Sequence, residues 1–317
     1  ATLRTFTTHA EKGGFAIRSV GWIPETKKGQ KMIWSAGDDA ILRVWDLSGD
    51  FGGIGDRVKP VVSMKGHGDA IRCTAAYKVG ERGDQKIRLV TGSYDHTIRV
   101  WDCDSLKVGM MGYSDDDRDR CLSVMDHGSP VECLVVVNPS ATSAFKTPVI
   151  LSAGGTTVKL WDPQLGTCLS TIQTKHSKTI TSICITSMIR GDKDEFDGDG
   201  KKIVVMRLIT AGLDGLIRIH SADELYNSDI SKEKQSTNEI ALPYLHGVKT
   251  SLPITALAMS PDSTRLVVGT STGYVTVRQR AKYVPQGVKR KSAYEPKAGT
   301  YSFFTRGASA DADADDH

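Results

Sequence analysis

The 317-residue chain has few aromatic residues, 7% of the total. It also lacks any apolar run near 18 residues, so no helical membrane span and no membrane partner are expected. No secretory leader is visible. The six cysteines (Cys73, Cys103, Cys121, Cys133, Cys168 and Cys184) form no CxxC pair. Most sit inside apolar, strand-like runs, which favours buried thiols in a reducing compartment, cytosol or nucleus, over a disulfide or zinc framework. Neither sign of charge dominates: 41 Lys and Arg stand against 37 Asp and Glu, a net +4. The bulk balance therefore says little about partners, and the distribution says more. Acidic residues cluster at 115–119, 192–199 and 311–316, and basic ones between 278 and 291. A leading methionine is absent as well: strand-like sequence starts at Ala1, as expected of a segment of a longer protein.

Glycine, by contrast, is plentiful at 31 residues, set between short apolar runs. Such punctuation reads as many strands and tight turns. The stretch Thr91-Gly92-Ser93-Tyr94-Asp95-His96-Thr97-Ile98-Arg99-Val100-Trp101-Asp102 reads as a strand, a turn and a strand ending in Trp-Asp, and variants of it recur. Positions 45, 101, 161, 220 and 278 mark the recurrence, 56 to 60 residues apart. Five units are expected, at about 2–57, 58–107, 121–166, 167–226 and 240–281. A WD-type propeller blade usually takes ~40–45 residues. The surplus falls in loop-like stretches at 49–56, 108–120 and 191–202. The last is acidic, but it lacks the spaced ligands and closing Glu of a calcium loop, so a solvated hairpin insertion and no metal are expected.

A four-stranded sheet cannot bury both apolar faces alone, whereas radial stacking of several such sheets buries them between neighbours. The expected fold is therefore all-β: a WD-repeat β-propeller over 1–307, with five blades visible of the seven such rings commonly have. Two blades are expected to precede Ala1. Residues 299–305, within a closing segment 282–307, are expected to supply a final outer strand, and 308–317 to be an acidic disordered tail.

The units resemble WD repeats in a second respect. That family fixes each blade with a hydrogen-bonded tetrad of His, Ser or Thr, Asp and Trp, because a buried Asp is tolerable only when its acceptors are filled. The second unit has the full set at matching positions: His67, Thr91, Asp95 and Trp101. The first has His9, Ser35, Asp39 and Trp45. The third keeps His127, Ser152 and Trp161 but has Gly154-Gly155 where the Asp would stand. The fourth keeps His176, Thr210 and Asp214 with His220 in place of Trp, and the fifth offers His246 with Thr272 and Arg278. Recurrence once per unit favours bracing over Ser-His-Asp catalysis, so no enzyme and no cofactor are expected. Arg43, Arg99, Lys159 and Arg218 recur two residues before the Trp position, where packing of their stems is the favoured role. Candidate RNA or partner contacts are Arg278, Arg280, Lys282, Lys289, Arg290 and Lys291, interleaved with Tyr283 and Tyr294. A solvated loop or an import signal at 289–291 is the competing reading.

A WD repeat does not specify a function. The order of several stretches goes further. It runs from the Tyr94-Asp95-His96-Thr97 turn through Asp126-His127-Gly128-Ser129-Pro130 and Ser152-Ala153-Gly154-Gly155 to His176-Ser177-Lys178-Thr179. Val277-Arg278-Gln279-Arg280 and a basic linker follow. This order resembles the propeller of the U-three small nucleolar RNA-associated protein fifteen family, a component of the small-subunit processome, over roughly 1–307. The resemblance implies a nucleolar, non-catalytic scaffold in pre-rRNA processing and early small-subunit assembly. It implies a subcomplex on the 5′ external transcribed spacer and a link to pre-rRNA transcription. Implied partners are other processome subunits, including other propellers, with pre-rRNA and the small nucleolar ribonucleoprotein in the same particle. The alternative is a generic WD-repeat interaction module, such as a ubiquitin-ligase substrate receptor.

Overall fold

In the computed structural model, residues 14–24, 31–47, 60–80, 84–103, 120–139, 145–189, 204–223, 239–240 and 242–279 are described. The described residues form an all-β chain of five blade-like sheets. The first sheet orders β1 (Ile17–Trp22), β2 (Met32–Gly37), β3 (Ile41–Asp46) and β4 (Val62–Lys65). The second orders β5 (Ile71–Val79), β6 (Lys86–Ser93), β7 (Thr97–Asp102) and β8 (Cys121–Asp126). The third has β9 (Val131–Val137), β10 (Val149–Gly154), β11 (Thr157–Asp162) and β12 (Thr167–Gln173), and β16 (Glu239–Ile240) is added parallel to β12. The fourth orders β13 (Ile180–Ile189), β14 (Val204–Gly212), β15 (Leu216–Ser221) and β17 (Tyr244–Lys249). The fifth orders β18 (Ile254–Met259), β19 (Arg265–Thr270) and β20 (Val275–Gln279).

Two compact units divide these sheets. Ala1–Ile180 with Leu225–Ala241 hold the first three, and Thr181–Glu224 with Leu242–His317 hold the last two. In the first unit Met32, Trp34, Leu42 and Val44 share a core with Ile87, Leu89 and Trp101 of the second sheet. Val90, Ile98 and Val100 of the second sheet share another with Val131, Ile150 and Trp161 of the third. In the second unit Ile209, Ile217 and Ile219 pack with Ile254, Leu266 and Val268. The middle strands have neighbours on both faces, so they read as nearly continuous buried apolar runs; Val149–Gly154 is buried at every position. The outer β8 has one face covered and alternates, with Leu122 and Val124 exposed. Each fully buried Leu, Ile or Met side chain contributes about 1.5–3 kcal/mol relative to an exposed one. The close approach of the second and third sheets requires a glycine: a Cβ at Gly92 would lie 2.5 Å from Val131 Cγ1 and 2.7 Å from Cys73 Sγ.

Sheets and sequence units are out of phase by one strand. The outer strand of the first sheet, β4, lies in the second sequence unit, and β8, β12 and β17 are likewise contributed by the unit that follows. The sequence pattern places His between an outer and an inner strand, so the brace sits where the chain passes from one sheet to the next. The stretches 2–6, 49–56, 191–202, 282–307 and 308–317 all lie outside the described residues, as does His9.

Candidate functional site

The second sheet holds the most complete brace. Trp101, at the end of β7, donates its indole N–H to Thr91 Oγ1 on β6 at 2.9 Å. Thr91 Oγ1 lies 2.7 Å from His67 Nε2, and His67 Nδ1 lies 2.8 Å from Asp95 Oδ2 in the β6–β7 turn. Asp95 also accepts from the Gly68 N–H at 2.9 Å, the Thr97 N–H at 2.8 Å and the Thr97 hydroxyl at 2.7 Å. Burial depresses the His67 pKa despite the neighbouring carboxylate, so the ring stays neutral. A neutral ring donating from Nδ1 takes the Thr91 proton at Nε2, and all the bonds then run in one direction. Burial alone would raise the Asp95 pKa. The hydrogen bonds from His67, Thr97 and Gly68 outweigh it and hold the carboxyl below its ordinary range. A chain running from a buried indole to a multiply bonded carboxylate leaves no hydroxyl activated toward an open cleft. Its chemistry is structural: it locks β6, β7 and the incoming connection together.

The other sheets vary the device. In the first, Trp45 donates to Ser35 Oγ at 2.9 Å, and Asp39 pairs with Arg43 from the next strand. In the third, Trp161 donates to Ser152 Oγ at 2.8 Å, but no carboxylate stands in the turn. Its place at the imidazole Nδ1 is taken by a residue of the incoming connection. Ser129 Oγ lies 3.1 Å from His127 Nδ1, and Lys159 Nζ donates to the His127 carbonyl at 2.8 Å. Gly154 makes room, since a Cβ there would lie 2.7 Å from Ser129 Oγ and 2.9 Å from His127 Cε1. Burial, followed by the Lys159 charge, lowers the His127 pKa to about 4. His176 is buried in the first unit. In the second unit Thr210 is buried, Asp214 accepts from the Leu216 N–H at 3.0 Å, and the buried His220 makes an edge contact with Tyr244.

His246 does not take the bracing position in the fifth unit. It lies inside β17, opposite Ile219. The backbone bond that His127 makes to the preceding turn (N–H to the His96 carbonyl, 2.9 Å) is made instead by Thr250, to the Gly215 carbonyl at 2.7 Å. The cations ahead of the Trp position differ in their partners. Besides the Arg43 and Lys159 contacts, Arg218 lies over the Tyr244 ring at 5.7 Å. Among the candidate RNA contacts, Arg278 is half-buried on β20 opposite Leu266, and burial lowers its pKa. Arg280, Lys282, Lys289, Arg290 and Lys291 lie outside the described residues.

One cluster went unnoticed in the sequence. The Tyr94 hydroxyl donates to Glu132 Oε1 of the third sheet at 2.9 Å, Arg72 lies 4.9 Å over the Tyr94 ring, and Arg72 is 3.5 Å from Glu132. Arg18 grips Asp38 through two bonds of 2.7 and 2.6 Å. Ile17-Arg18, Ile71-Arg72 and Val131-Glu132 open successive inner strands, and that recurrence was the available signal. Among the described residues no group of three His, Cys, Asp or Glu side chains converges as a metal site.

Residues 58–102, which include β4 to β7, match the family model of the WD domain, G-beta repeat. Proteins named U3 small nucleolar RNA-associated protein 15 homolog are similar over nearly the whole chain. The one from Xenopus tropicalis is 26% identical over 97% of the chain and 45% of its own length. The one from Gallus gallus is 27% identical over 97% of the chain and 44% of its own length. U3 small nucleolar RNA-associated protein 15 of Schizosaccharomyces pombe is 29% identical over 65% of the chain and 39% of its own length. The chain thus spans less than half the length of these relatives.

Proposed function

We propose that the chain is a non-catalytic scaffold in ribosome biogenesis, acting in pre-rRNA processing and early assembly of the small subunit. The observation that carries this reading is the similarity to proteins named for association with U3 small nucleolar RNA across 97% of the chain. The geometry supports it from another side. The repeated His, Thr and Asp residues of the second sheet are spent on one another inside the brace. What the sheets offer outward is surface, including the Tyr94–Arg72–Glu132 cluster that joins two of them. In this reading the chain works in the nucleolus, within a processome subcomplex on the 5′ external transcribed spacer, among other propeller subunits. The link to pre-rRNA transcription and direct RNA contact through the 278–291 stretch belong to the same proposal.

Affinity capture of the tagged chain from nucleolar extract tests it. U3 small nucleolar RNA, 5′ external transcribed spacer sequence and processome proteins should be recovered together at moderate salt. Recovery of none of these from an extract in which the particle is intact would overturn it. Recovery of ligase adaptors in their place would favour a substrate-receptor propeller.

A further inference from the structure

The connection from β8 to β9 includes His127-Gly128-Ser129-Pro130, and both Gly128 and Pro130 are exposed. Ser129 is half-buried between them, with its Oγ 3.1 Å from His127 Nδ1. In the second sheet the same imidazole nitrogen meets the Asp95 carboxylate at 2.8 Å. The third sheet thus keeps the imidazole without the charge. Its surroundings suit an anion. Lys159 Nζ lies 2.8 Å from the His127 carbonyl, and the β10–β11 turn (Gly155-Thr156) carries no acid. Asp126, the acid just ahead of His127, is turned to the Gly128 N–H at 2.8 Å.

The turn also leaves room beside the hydroxyl. Even a Cβ at Gly155 would lie 3.7 Å from Ser129 Oγ, an ordinary contact, and Gly155 has none. Thr156 beyond it is exposed. A negative charge is tolerated at the equivalent position: the second connection, His67-Gly68-Asp69, carries a carboxylate where the third has Ser129. Proline follows Ser129, and a serine before proline on an exposed connection is the feature that proline-directed kinases select. The chain has two other such pairs, Thr147-Pro148 and Ser260-Pro261, and neither has a histidine two residues ahead. The Ser260 hydroxyl accepts the Arg265 N–H at 2.9 Å instead.

We propose that Ser129 is a phosphorylation site, and that its phosphate completes the brace of the third sheet by taking the place that Asp95 has in the second. The phosphoryl donor is a nucleoside triphosphate held by a proline-directed kinase. The Ser129 hydroxyl attacks the γ-phosphorus, and its proton passes to the general base of the kinase. The bond from that phosphorus to the bridging oxygen breaks, and the nucleoside diphosphate leaves. The product carries about −1.5 to −2 charges on three acceptor oxygens beside His127. Modification therefore tightens β10 and β11 rather than opening them. The inference is independent of the role in pre-rRNA processing.

The test treats the full chain with a proline-directed cyclin-dependent kinase and ATP, maps phosphate by mass spectrometry and compares hydrogen exchange before and after. A synthetic peptide of residues 124–134 serves as the control for kinase activity. Phosphate should appear on Ser129 and be lost from that peptide in S129A. Peptides covering 149–162 should gain at least about tenfold protection, the worth of one hydrogen bond to a charged acceptor. In H127Q the phosphate should bring almost none of that gain. Should H127Q fold poorly, the nitrogen resonance of His127 Nδ1 in the wild-type chain reads the same contact and should move on phosphorylation. A folded chain left unmodified at Ser129 while the control peptide is phosphorylated overturns the proposal. So does a phosphorylated Ser129 that leaves 149–162 no better protected or the His127 resonance unmoved, or a gain that persists in H127Q.

Discussion

Replacing Asp95 with Ala should loosen the second sheet and leave the third almost untouched. The carboxylate accepts four bonds, from His67, Gly68 and both the N–H and hydroxyl of Thr97. Water can take over at Gly68, which is exposed, and in part at Thr97. It cannot reach His67, whose side chain is fully buried. Among the described residues the only acceptor left within reach of that N–H is the Thr97 hydroxyl, 3.2 Å away. Weakening the bond costs ~1 kcal/mol, and losing hydrogen bonds to a charged acceptor adds ~1.5–3 kcal/mol. Replacement by solvent makes the sum less than additive, so about 3 kcal/mol of local stability should be lost. Since ~1.4 kcal/mol is a factor of ten, that is ~100-fold in the local opening equilibrium. Hydrogen exchange read by mass spectrometry resolves it. Peptides covering 86–102 should lose about two decades of protection, while those covering β9 to β11 change less than threefold. D95N, which keeps the shape and one acceptor oxygen, should fall between. Unchanged protection of 86–102 in D95A would refute the brace as a source of stability.

Three further outcomes are expected. S129A removes the group beside His127 in the third sheet and should cost about 1 kcal/mol there; urea titration followed by exchange of β9–β11 peptides reads it, and no change would show that Ser129 does not replace the missing carboxylate. His127 has a folded pKa lowered to about 4 from an ordinary 6.5, so its contribution is complete above pH 6.5 and is lost as pH falls from 6.5 toward 4. H127Q should flatten the pH dependence of melting in that window, whereas the Asp95 contribution, from a depressed carboxyl pKa, should be lost only below about pH 4. Charge reversal at Lys289, Arg290 and Lys291 should weaken RNA or partner association more at low salt than at high salt; an effect independent of salt would argue against an electrostatic contact.

The Trp-to-hydroxyl bonds of the first two sheets were legible because hydrogen-bond stoichiometry leaves a mark on spacing. A buried indole N–H needs an acceptor within reach across a two-strand ladder. Trp45 pairs with Ile33 and Trp101 with Leu89, and the hydroxyl two residues further along the partner strand accepts, which places Ser35 ten residues before Trp45 and Thr91 ten before Trp101. The third sheet was harder to read, since the group beside His127 arrives from Ser129, two residues along, and leaves the turn as bare glycine. His246 misled because residue type was counted without strand register. It sits within β17, while Thr250 has the backbone bond of the bracing position. Clusters such as Tyr94–Glu132 join residues of different sheets, and no local period reports them. The basic stretch beyond Arg278 is legible only as composition.

The one-strand offset between sequence units and sheets has a consequence for how such a chain can be altered. Each unit finishes the sheet of its predecessor with its first strand and begins its own with the next three. Excising a whole unit, cut cleanly from outer strand to outer strand, therefore leaves the sheet before the cut with an outer strand, because the following unit supplies the same part. A cut between sheets does the opposite. It separates β4 from the Gly66-His67 connection and strips the second sheet of its imidazole, although none of its own strands has been removed. Recombination and truncation should accordingly be tolerated at points that lie inside a sheet, and damaging at the gaps where a boundary would be drawn by eye.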